Sequence, residues 1–392
     1  MKYSFSVYFK LLLSSVVLIG INEVQPSFAQ SKPRVVASHS VLCDLTSQIA
    51  GDSIDMTCLI EAGEDPHVYS PKPSDRRAIE DADLVLYGGF NFEPSIIKMI
   101  EATDNSSTKI ALSEVSVKNP LLAEKHDHGS EGHDEHDDHD KHDDHDKHDD
   151  HDDHGKHDDH DDHDDHGKHD EHDDHGKHDD HDNHDDHSKH DDHDGHAHDE
   201  GLEPDPHVWH DAENGIAMIK EIQKQLGAIE PSQAKKYRAR AKFLTRQFKR
   251  LDSWIQRQVN TIPEEKRTLI TKHDALGYYT RAYGLEENSA LRSLSTETRP
   301  SASQIRSLVE LIKAKNVPTV FFESSSNPRL VTTLGREAKV AVSSDPIYAD
   351  SLGLEGTSAS TYQGMLMTNT CVIVEGLGGQ CNKAEFQAFL PR

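Results

Sequence analysis

Cysteine is scarce in this chain: four residues in 392, and no pair in a CxxC motif. That argues against a cysteine-held zinc knuckle. Four separated cysteines suit an oxidising compartment, where they form disulfides. Cys43 lies near Cys58 in sequence and Cys371 near Cys381. Pairing within each couple is expected, one of three possible connectivities. Long hydrophobic runs are also missing: beyond residue 21 none reaches the ~20 apolar residues a spanning helix needs. No Walker A sequence is present, so a nucleotide-hydrolysing P-loop is not part of the chain. Basic charge is outweighed, with a net of −29. Nucleic acid is therefore not an expected partner, since its phosphates would be repelled.

What the chain has in excess is histidine, most of it in one place. Residues 126–198 hold 25 of the 30 histidines, with 32 Asp or Glu and 6 Lys. From His133 to His196 every third residue is histidine, as in His133-Asp134-Glu135-His136-Asp137-Asp138-His139. The tract carries −26, which leaves only −3 for everything else. Imidazole and carboxylate bind borderline divalent metals such as zinc. Almost nothing in the tract is apolar, so it cannot offset its ordering entropy and is expected to be disordered. A period of three matches one turn of polyproline II and lines the histidines along one edge ~9 Å apart. Neighbours so spaced share an ion only when the chain bends. Zinc bound here is therefore expected to be transient and weaker than at a preformed site. An inserted loop of this length costs little closure entropy.

The first 29 residues read as a cleaved secretory signal. Lys2 and Lys10 precede a short apolar run at 11–21, and Ser27-Phe28-Ala29 fits a cleavage site. The run is too short to anchor the chain in a membrane. No cysteine stands at the cleavage site, so no lipid anchor is expected there. The mature protein should be soluble and exported.

Fewer than 300 residues remain outside signal and tract, enough for two domains that each bury a core. Both halves alternate strand and helix. In the first, strands are expected at 34–38, 54–60, 84–87 and 109–112, with helices at 41–50, 74–81 and 94–101. A helix at 212–226 follows the tract. Pro231 then opens a long helix to about residue 259, which Pro263 stops. At ~1.5 Å per residue it spans about 40 Å, and its Lys, Arg and Gln suit a connector. The second half has strands at 268–271, 319–322 and 340–343, and helices at 275–283, 301–314, 328–338 and 361–375. The pattern predicts an α/β fold of two parallel-sheet lobes, helices on both faces, joined by a long rigid helix. The expected divisions are 30–230, 231–260 and 261–392, with the tract inside the first. Ligands of such sheets bind beyond the carboxyl ends of strands.

Only five histidines lie outside the tract: His39, His67, His207, His210 and His273. His67 stands in Glu64-Asp65-Pro66-His67-Val68-Tyr69-Ser70-Pro71, after a strand. His207 stands in Asp205-Pro206-His207-Val208-Trp209-His210-Asp211, at a helix entry. His273-Asp274-Ala275 follows a strand directly, and Asp350 lies after the last strand in Tyr348-Ala349-Asp350-Ser351-Leu352-Gly353. The repeated Asp-Pro-His matters because proline fixes how the loop approaches. Three neutral imidazoles and one carboxylate make a tetrahedral set suited to Zn2+, with a net charge of +1. If all four close on the ion, no position is left for a catalytic water, so binding rather than hydrolysis is expected.

These four segments, in this order, resemble the periplasmic zinc-binding components of ABC transporters, in the zinc/manganese cluster of solute-binding proteins. The resemblance covers about residues 34–392 and includes an acidic, His-rich insertion at this place. It implies two α/β lobes joined by a rigid helix, one tight zinc in the interlobe cleft, and a membrane permease as partner, with the ATPase on a separate chain. A monomeric periplasmic receptor, not an enzyme, is expected. The ligands implied are His67, His207, His273 and Asp350. Manganese-binding relatives carry glutamate at the third position, so His273 points to zinc, in line with imidazole's preference. Some zinc-binding relatives have an acidic residue just before the first histidine. Here Pro66 stands there, so the fourth ligand rests on Asp350.

The other residues are given lesser places. His210, at i+3 from His207, is expected to be solvent-exposed, with a supporting place behind the ligands as the alternative. His39 is expected to be a hydrogen-bonded loop residue, with a cleft-lining place as the alternative. The loop Tyr87-Gly88-Gly89-Phe90-Asn91-Phe92-Glu93 resembles a strand-end loop of the family and is expected near the cleft mouth. A hydrolase would need a general base, for which Asp274 or Glu323 could be nominated. A zinc store with the tract as its main site is the other alternative.

Overall fold

In the computed structural model, residues 31–124 and 201–387 are described. The readings of 1–29 as a signal and of 126–198 as disordered lie outside the described residues. The chain divides into a body and an inserted unit over Asp127–Glu200.

The body opens with β1 (Arg34–His39), α1 (Ser40–Ala50), β2 (Asp55–Ile60), α2 (Pro73–Asp81), β3 (Leu84–Tyr87), α3 (Pro94–Glu101), β4 (Thr108–Ala111) and the short α4 (Leu112–Ser116). The four strands form one parallel sheet in the order β2-β1-β3-β4. Its central strands carry the apolar runs Val35-Val36-Ala37 and Leu84-Val85-Leu86, buried because both faces are covered. Val35, Ala37, Leu84 and Leu86 enter the main core with Leu42 and Leu45 of α1. Val36 and Val85, on the other face, pack with Ile79 of α2 and with Ile96 and Ile100 of α3. Successive side chains of a strand point to opposite faces, so alternate residues serve the two cores.

At the two ends of the inserted unit, β5 (Leu122–Glu124) pairs antiparallel with β6 (Leu202–Pro204). Two long helices follow, α5 (Ala212–Ile229) and α6 (Ala234–Val259). Pro231 lies in a 3₁₀ turn, Pro231–Gln233, so α6 starts three residues later than the sequence suggests. Its 26 residues span roughly 39 Å. Tyr237, Ala241, Leu244, Phe248, Leu251, Ile255 and Val259 recur at spacings of three and four and are buried, the stripe of an amphipathic helix. Arg240 of α6 donates from Nη1 to Ala50 O at 2.6 Å and Ile49 O at 3.2 Å. This places a cation on the orphan carbonyls at the C-terminus of α1, where the helix dipole favours it. Gly51 completes that junction: it has φ +54°, and a Cβ there would lie 2.5 Å from Arg240 Nη1.

The second half comprises β7 (Thr268–Thr271), α7 (Gly277–Tyr283), β8 (Glu286–Ser289), α8 (Ala302–Ala314), β9 (Thr319–Val320), α9 (Arg329–Ala338), β10 (Ala341–Val342), α10 (Tyr362–Gly376) and α11 (Lys383–Gln387). β7 pairs with β8 and β9 with β10, all parallel. Phe321 N donates to Ile270 O at 2.9 Å and ties the two ribbons together. Ile270 and Val320 pack with Leu308, Ile312 and Leu334 of α8 and α9, while Leu269 and Phe321 enter the main core. The protein is thus an α/β fold with parallel sheets and helices on both faces, as the alternation predicts. β9 and β10 are shorter than expected because the chain beyond them turns to other partners: Ile347 N donates to Phe322 O at 2.8 Å.

α10 does not stay with its own sheet. Tyr362 N donates to Asp44 Oδ2 of α1 at 2.9 Å, and Gln363 and Gln48 exchange two hydrogen bonds. Disulfides join Cys43 to Cys58, linking α1 to β2, and Cys371 to Cys381 at the end of α10. This is the local pairing expected. Among the described residues no helix is long and apolar enough to cross a membrane.

Candidate metal centre

Asp-Pro-His occurs twice, and both copies fold alike. Asp65 Oδ1 accepts from His67 N at 3.0 Å, and Asp205 Oδ1 accepts from His207 N at 2.9 Å. A short aspartate reaching two residues on mimics a backbone turn. Each copy leads through a 3₁₀ turn, Pro66–Val68 in one and Val208–His210 in the other. His67 is 6% exposed, and His207, His273 and Asp350 are fully buried. His67, His273 and Asp350 sit beyond the carboxyl ends of β2, β7 and β10, the edge where open parallel sheets present ligands.

The four side chains meet. His67 Nε2 lies 3.3 Å from His207 Nε2. Asp350 Oδ1 lies 3.5 Å from His67 Nε2, 3.3 Å from His207 Nε2 and 3.2 Å from His273 Nε2. One donor atom from each residue falls within 4.8 Å of all the others. Bonds of about 2.0–2.1 Å to a tetrahedral ion put ligand atoms about 3.3–3.4 Å apart. The cluster therefore has the size of a four-coordinate metal shell.

Two more carboxylates stand behind the imidazoles. Asp205 Oδ1 is 2.8 Å from His207 Nδ1, and Glu323 Oε2 is 2.8 Å from His273 Nδ1. Glu323 Oε1 also accepts from Lys272 N and His273 N. A carboxylate on Nδ1 fixes the proton there and aims the Nε2 lone pair into the cluster. Glu323 thus has its oxygens committed to His273 and its neighbours, the place of an orienting group rather than a general base. Asp205 could have been found from the motif itself; Glu323, 50 residues from His273, gave no local signal. Asp350 Oδ2 accepts from Ser325 Oγ at 3.0 Å.

Carboxylates and imidazoles in the cluster hold one another charged. Burial opposes a charge on His207, but hydrogen bonds to Asp205 and Asp350 outweigh it and hold its pKa up at about 9. Burial likewise opposes charge on His273, and Glu323 and Asp350 raise it well above the usual imidazole range. Asp350, despite its burial, is held well below the carboxylate range by the surrounding histidines.

Two expectations need correction. His210 is fully buried, not solvent-exposed. The 3₁₀ turn folds it and Trp209 inward, where His210 Nε2 (2.8 Å) and Trp209 Nε1 (3.1 Å) both contact the Ala349 carbonyl, one residue before Asp350. His39 is neither in a loop nor hydrogen-bonded. It ends β1, packs on Phe92 and Trp209 with ring centroids at 5.0 and 5.3 Å, and has no partner for either ring nitrogen among the described residues. Burial, then the nearby His207, pushes its pKa down to about 3, so it is a neutral packing residue one ring removed from the cluster. The Gly88–Glu93 loop lies against the cluster. Phe90 and Asn91 take left-handed backbone at φ 49° and 57°, a conformation costly for residues other than glycine. The bend delivers Phe92, fully buried, to 5.1 Å from His67 and 5.6 Å from His207.

A closed set of buried imidazoles and one carboxylate between two parallel α/β sheets defines a metal-binding solute receptor. Comparison with known proteins gives the particular family. Residues 35–376 match the family described as ZnuA, zinc-uptake complex component A, periplasmic, and the chain belongs to it. Its members are metal-binding receptors of ABC transporters, which work with a membrane permease and are not enzymes. The manganese ABC transporter substrate-binding lipoprotein PsaA of Streptococcus mitis is 27% identical over 376 residues, covering 94% of this chain and 97% of that one. The manganese-binding lipoprotein MntA of Halalkalibacterium halodurans is 26% identical, with 88% of each covered. The solved periplasmic zinc binding protein TroA from Treponema pallidum has the same fold, with TM-score 0.66 at 24% identity over 88% of this chain and 99% of that one.

Proposed function

We propose that the chain captures Zn2+ outside the cytoplasm, through His67, His207, His273 and Asp350, and hands it to its ABC permease. The observation that carries this reading is the convergence of three imidazole Nε2 atoms on one carboxylate oxygen at 3.2–3.5 Å. The relatives include proteins named for manganese and for zinc. Three imidazoles support zinc here, because manganese favours oxygen donors. Four protein ligands suit sequestration, since a catalytic zinc keeps an open position. On this reading residues 1–29 export the chain and are removed. Residues 30–230 and 261–392 form the lobes, and 231–260 connects them.

The 25 histidines of 126–198 then serve as an accessory arm that gathers or buffers zinc more weakly than the cleft. They also favour a second reading, a periplasmic zinc store with the tract as its main site. Calorimetry separates the two. A chain lacking 126–198 should still bind one zinc tightly and prefer it to manganese. Loss of that event on deletion would establish the store, and its survival in a His67→Ala, His273→Ala double variant would displace the four ligands.

A further inference from the structure

Asp350 comes from the second half of the chain, but its backbone is held largely by the first. Up to Ile347 the segment runs with its own sheet: Glu323 and Ile347 form a parallel bridge, and Ser324 N donates to Ile347 O at 2.9 Å. Beyond Ile347 the partners change. Asn369 of α10 brackets Tyr348, accepting from its N at 2.9 Å and donating to its O at 2.8 Å. The Ala349 carbonyl lies 3.1 Å from Trp209 Nε1 and 2.8 Å from His210 Nε2. Leu352 N donates to Ser40 Oγ of α1 at 3.0 Å. α10 leans the same way, since Tyr362 at its start donates to the Trp209 carbonyl.

Two donors on one carbonyl use both of its lone pairs. A carbonyl accepts, so His210 is the tautomer with its proton on Nε2, and its Nδ1 has no partner among the described residues. Trp209, His210 and Ala349 are all buried, so water does not compete for the oxygen. The Ala349 carbonyl and Asp350 N share one planar peptide. Holding that oxygen fixes the plane from which Asp350 departs and leaves its side-chain torsions free. Ser325 on Oδ2 and the three histidines around Oδ1 then settle those. His207 and His273 are aimed through a second ring nitrogen. A carboxylate has none, so its backbone must be held instead.

We propose that His210, together with Trp209, is a positioning residue for Asp350: the two ring N–H groups grip the Ala349 carbonyl and so fix the carboxylate among the three imidazoles. The inference rests on the receptor reading and deepens it, because one turn, Val208–His210, then follows His207 directly and also places the fourth ligand.

The test uses the full chain, with Zn2+ and Co2+ as probes. His210→Leu removes one N–H and keeps an apolar side chain in the buried site; Trp209→Phe removes the other and keeps a ring. Each should weaken zinc binding roughly tenfold, as loss of a group supporting a metal ligand does. Each should also shift the visible spectrum of bound cobalt, which reports ligand geometry. His210→Gln, whose amide N–H can take the place of Nε2–H, should recover most of the affinity. In an Asp350→Ala background both losses should vanish, because the group being positioned is gone, whereas a general loosening of the fold would persist there. Should His210→Leu fail to fold, Trp209→Phe reads the same grip. Unchanged zinc affinity in the single variants, or losses of equal size in the Asp350→Ala background, overturn the inference. A wild-type chain that binds no zinc tightly would instead remove the receptor reading, and the inference with it.

Discussion

Glu323 and His273, 50 residues apart, are joined by a 2.8 Å contact between Oε2 and Nδ1, while the other oxygen of Glu323 receives two backbone N–H groups at the His273 turn. One buried side chain thus fixes the tautomer, the ring and the loop of a proposed ligand at once. Glu323→Ala should weaken zinc binding roughly 10- to 100-fold. It should also destabilise the metal-free fold by about 1–3 kcal/mol for each buried donor left unpaired. Calorimetry and urea unfolding on the same variant read the two effects, and an unchanged affinity would show that Glu323 is only structural.

Phe92 walls the cluster against water. Phe92→Ala should cost about 3–5 kcal/mol of stability and weaken metal binding as well, because imidazoles exposed to water are held less firmly. Phe92→Leu should restore most of the stability. If the Ala variant binds zinc as tightly as the wild type, the ring plays no part in the site.

His39 makes acid stability testable at one residue. It is buried neutral, with a pKa near 3, against ~6.5 in the unfolded chain. Between those values the unfolded chain holds a proton that the native protein refuses, so stability falls as pH drops through this range. The loss should be about 1.4 kcal/mol per pH unit. His39→Leu lacks that proton, so the gap between variant and wild type should widen in favour of leucine between about pH 7 and about pH 4. A constant gap in urea midpoints would mean that His39 is hydrated or already paired.

Cys43–Cys58 closes a 15-residue separation between α1 and β2. Replacing both cysteines with alanine should lower stability by about 3 kcal/mol on loop-entropy grounds. Zinc affinity should change little, since neither cysteine is among the clustered donors. A large loss of affinity would mean that the bridge positions β1 and the cluster beyond it.

The sequence is most informative where the chemistry is local. Asp-Pro-His makes its own turn, so His67 and His207 were legible from three residues each. The central strands of the first sheet are legible because each carries its own apolar run, Val35-Val36-Ala37 and Leu84-Val85-Leu86. His210 and His39 were misread because their burial comes from distant partners: the Ala349 carbonyl for one, Phe92 and Trp209 for the other. β8 was missed for the same reason. Glu286-Glu287-Asn288-Ser289 has no apolar alternation and is a strand only because β7 lies beside it. Glu287 is half-buried there, accepts from Leu276 N at 2.8 Å, and has its pKa pushed up to about 8, chiefly by desolvation.

The β5–β6 pairing fixes Leu122 against Pro204 and Glu124 against Leu202. Immediately after Pro204 the chain enters Asp205-Pro206-His207, and Asp205 N donates to Leu121 O at 2.8 Å. The chain thus leaves the body and returns to it at one clasp, and that clasp sets the position of His207. Triplets can be gained or lost between its two strands with no change of register in the body, and each doubling of length costs only about 0.6 kcal/mol. A His-Asp-Asp repeat bounded this way can change in length without touching the four clustered donors.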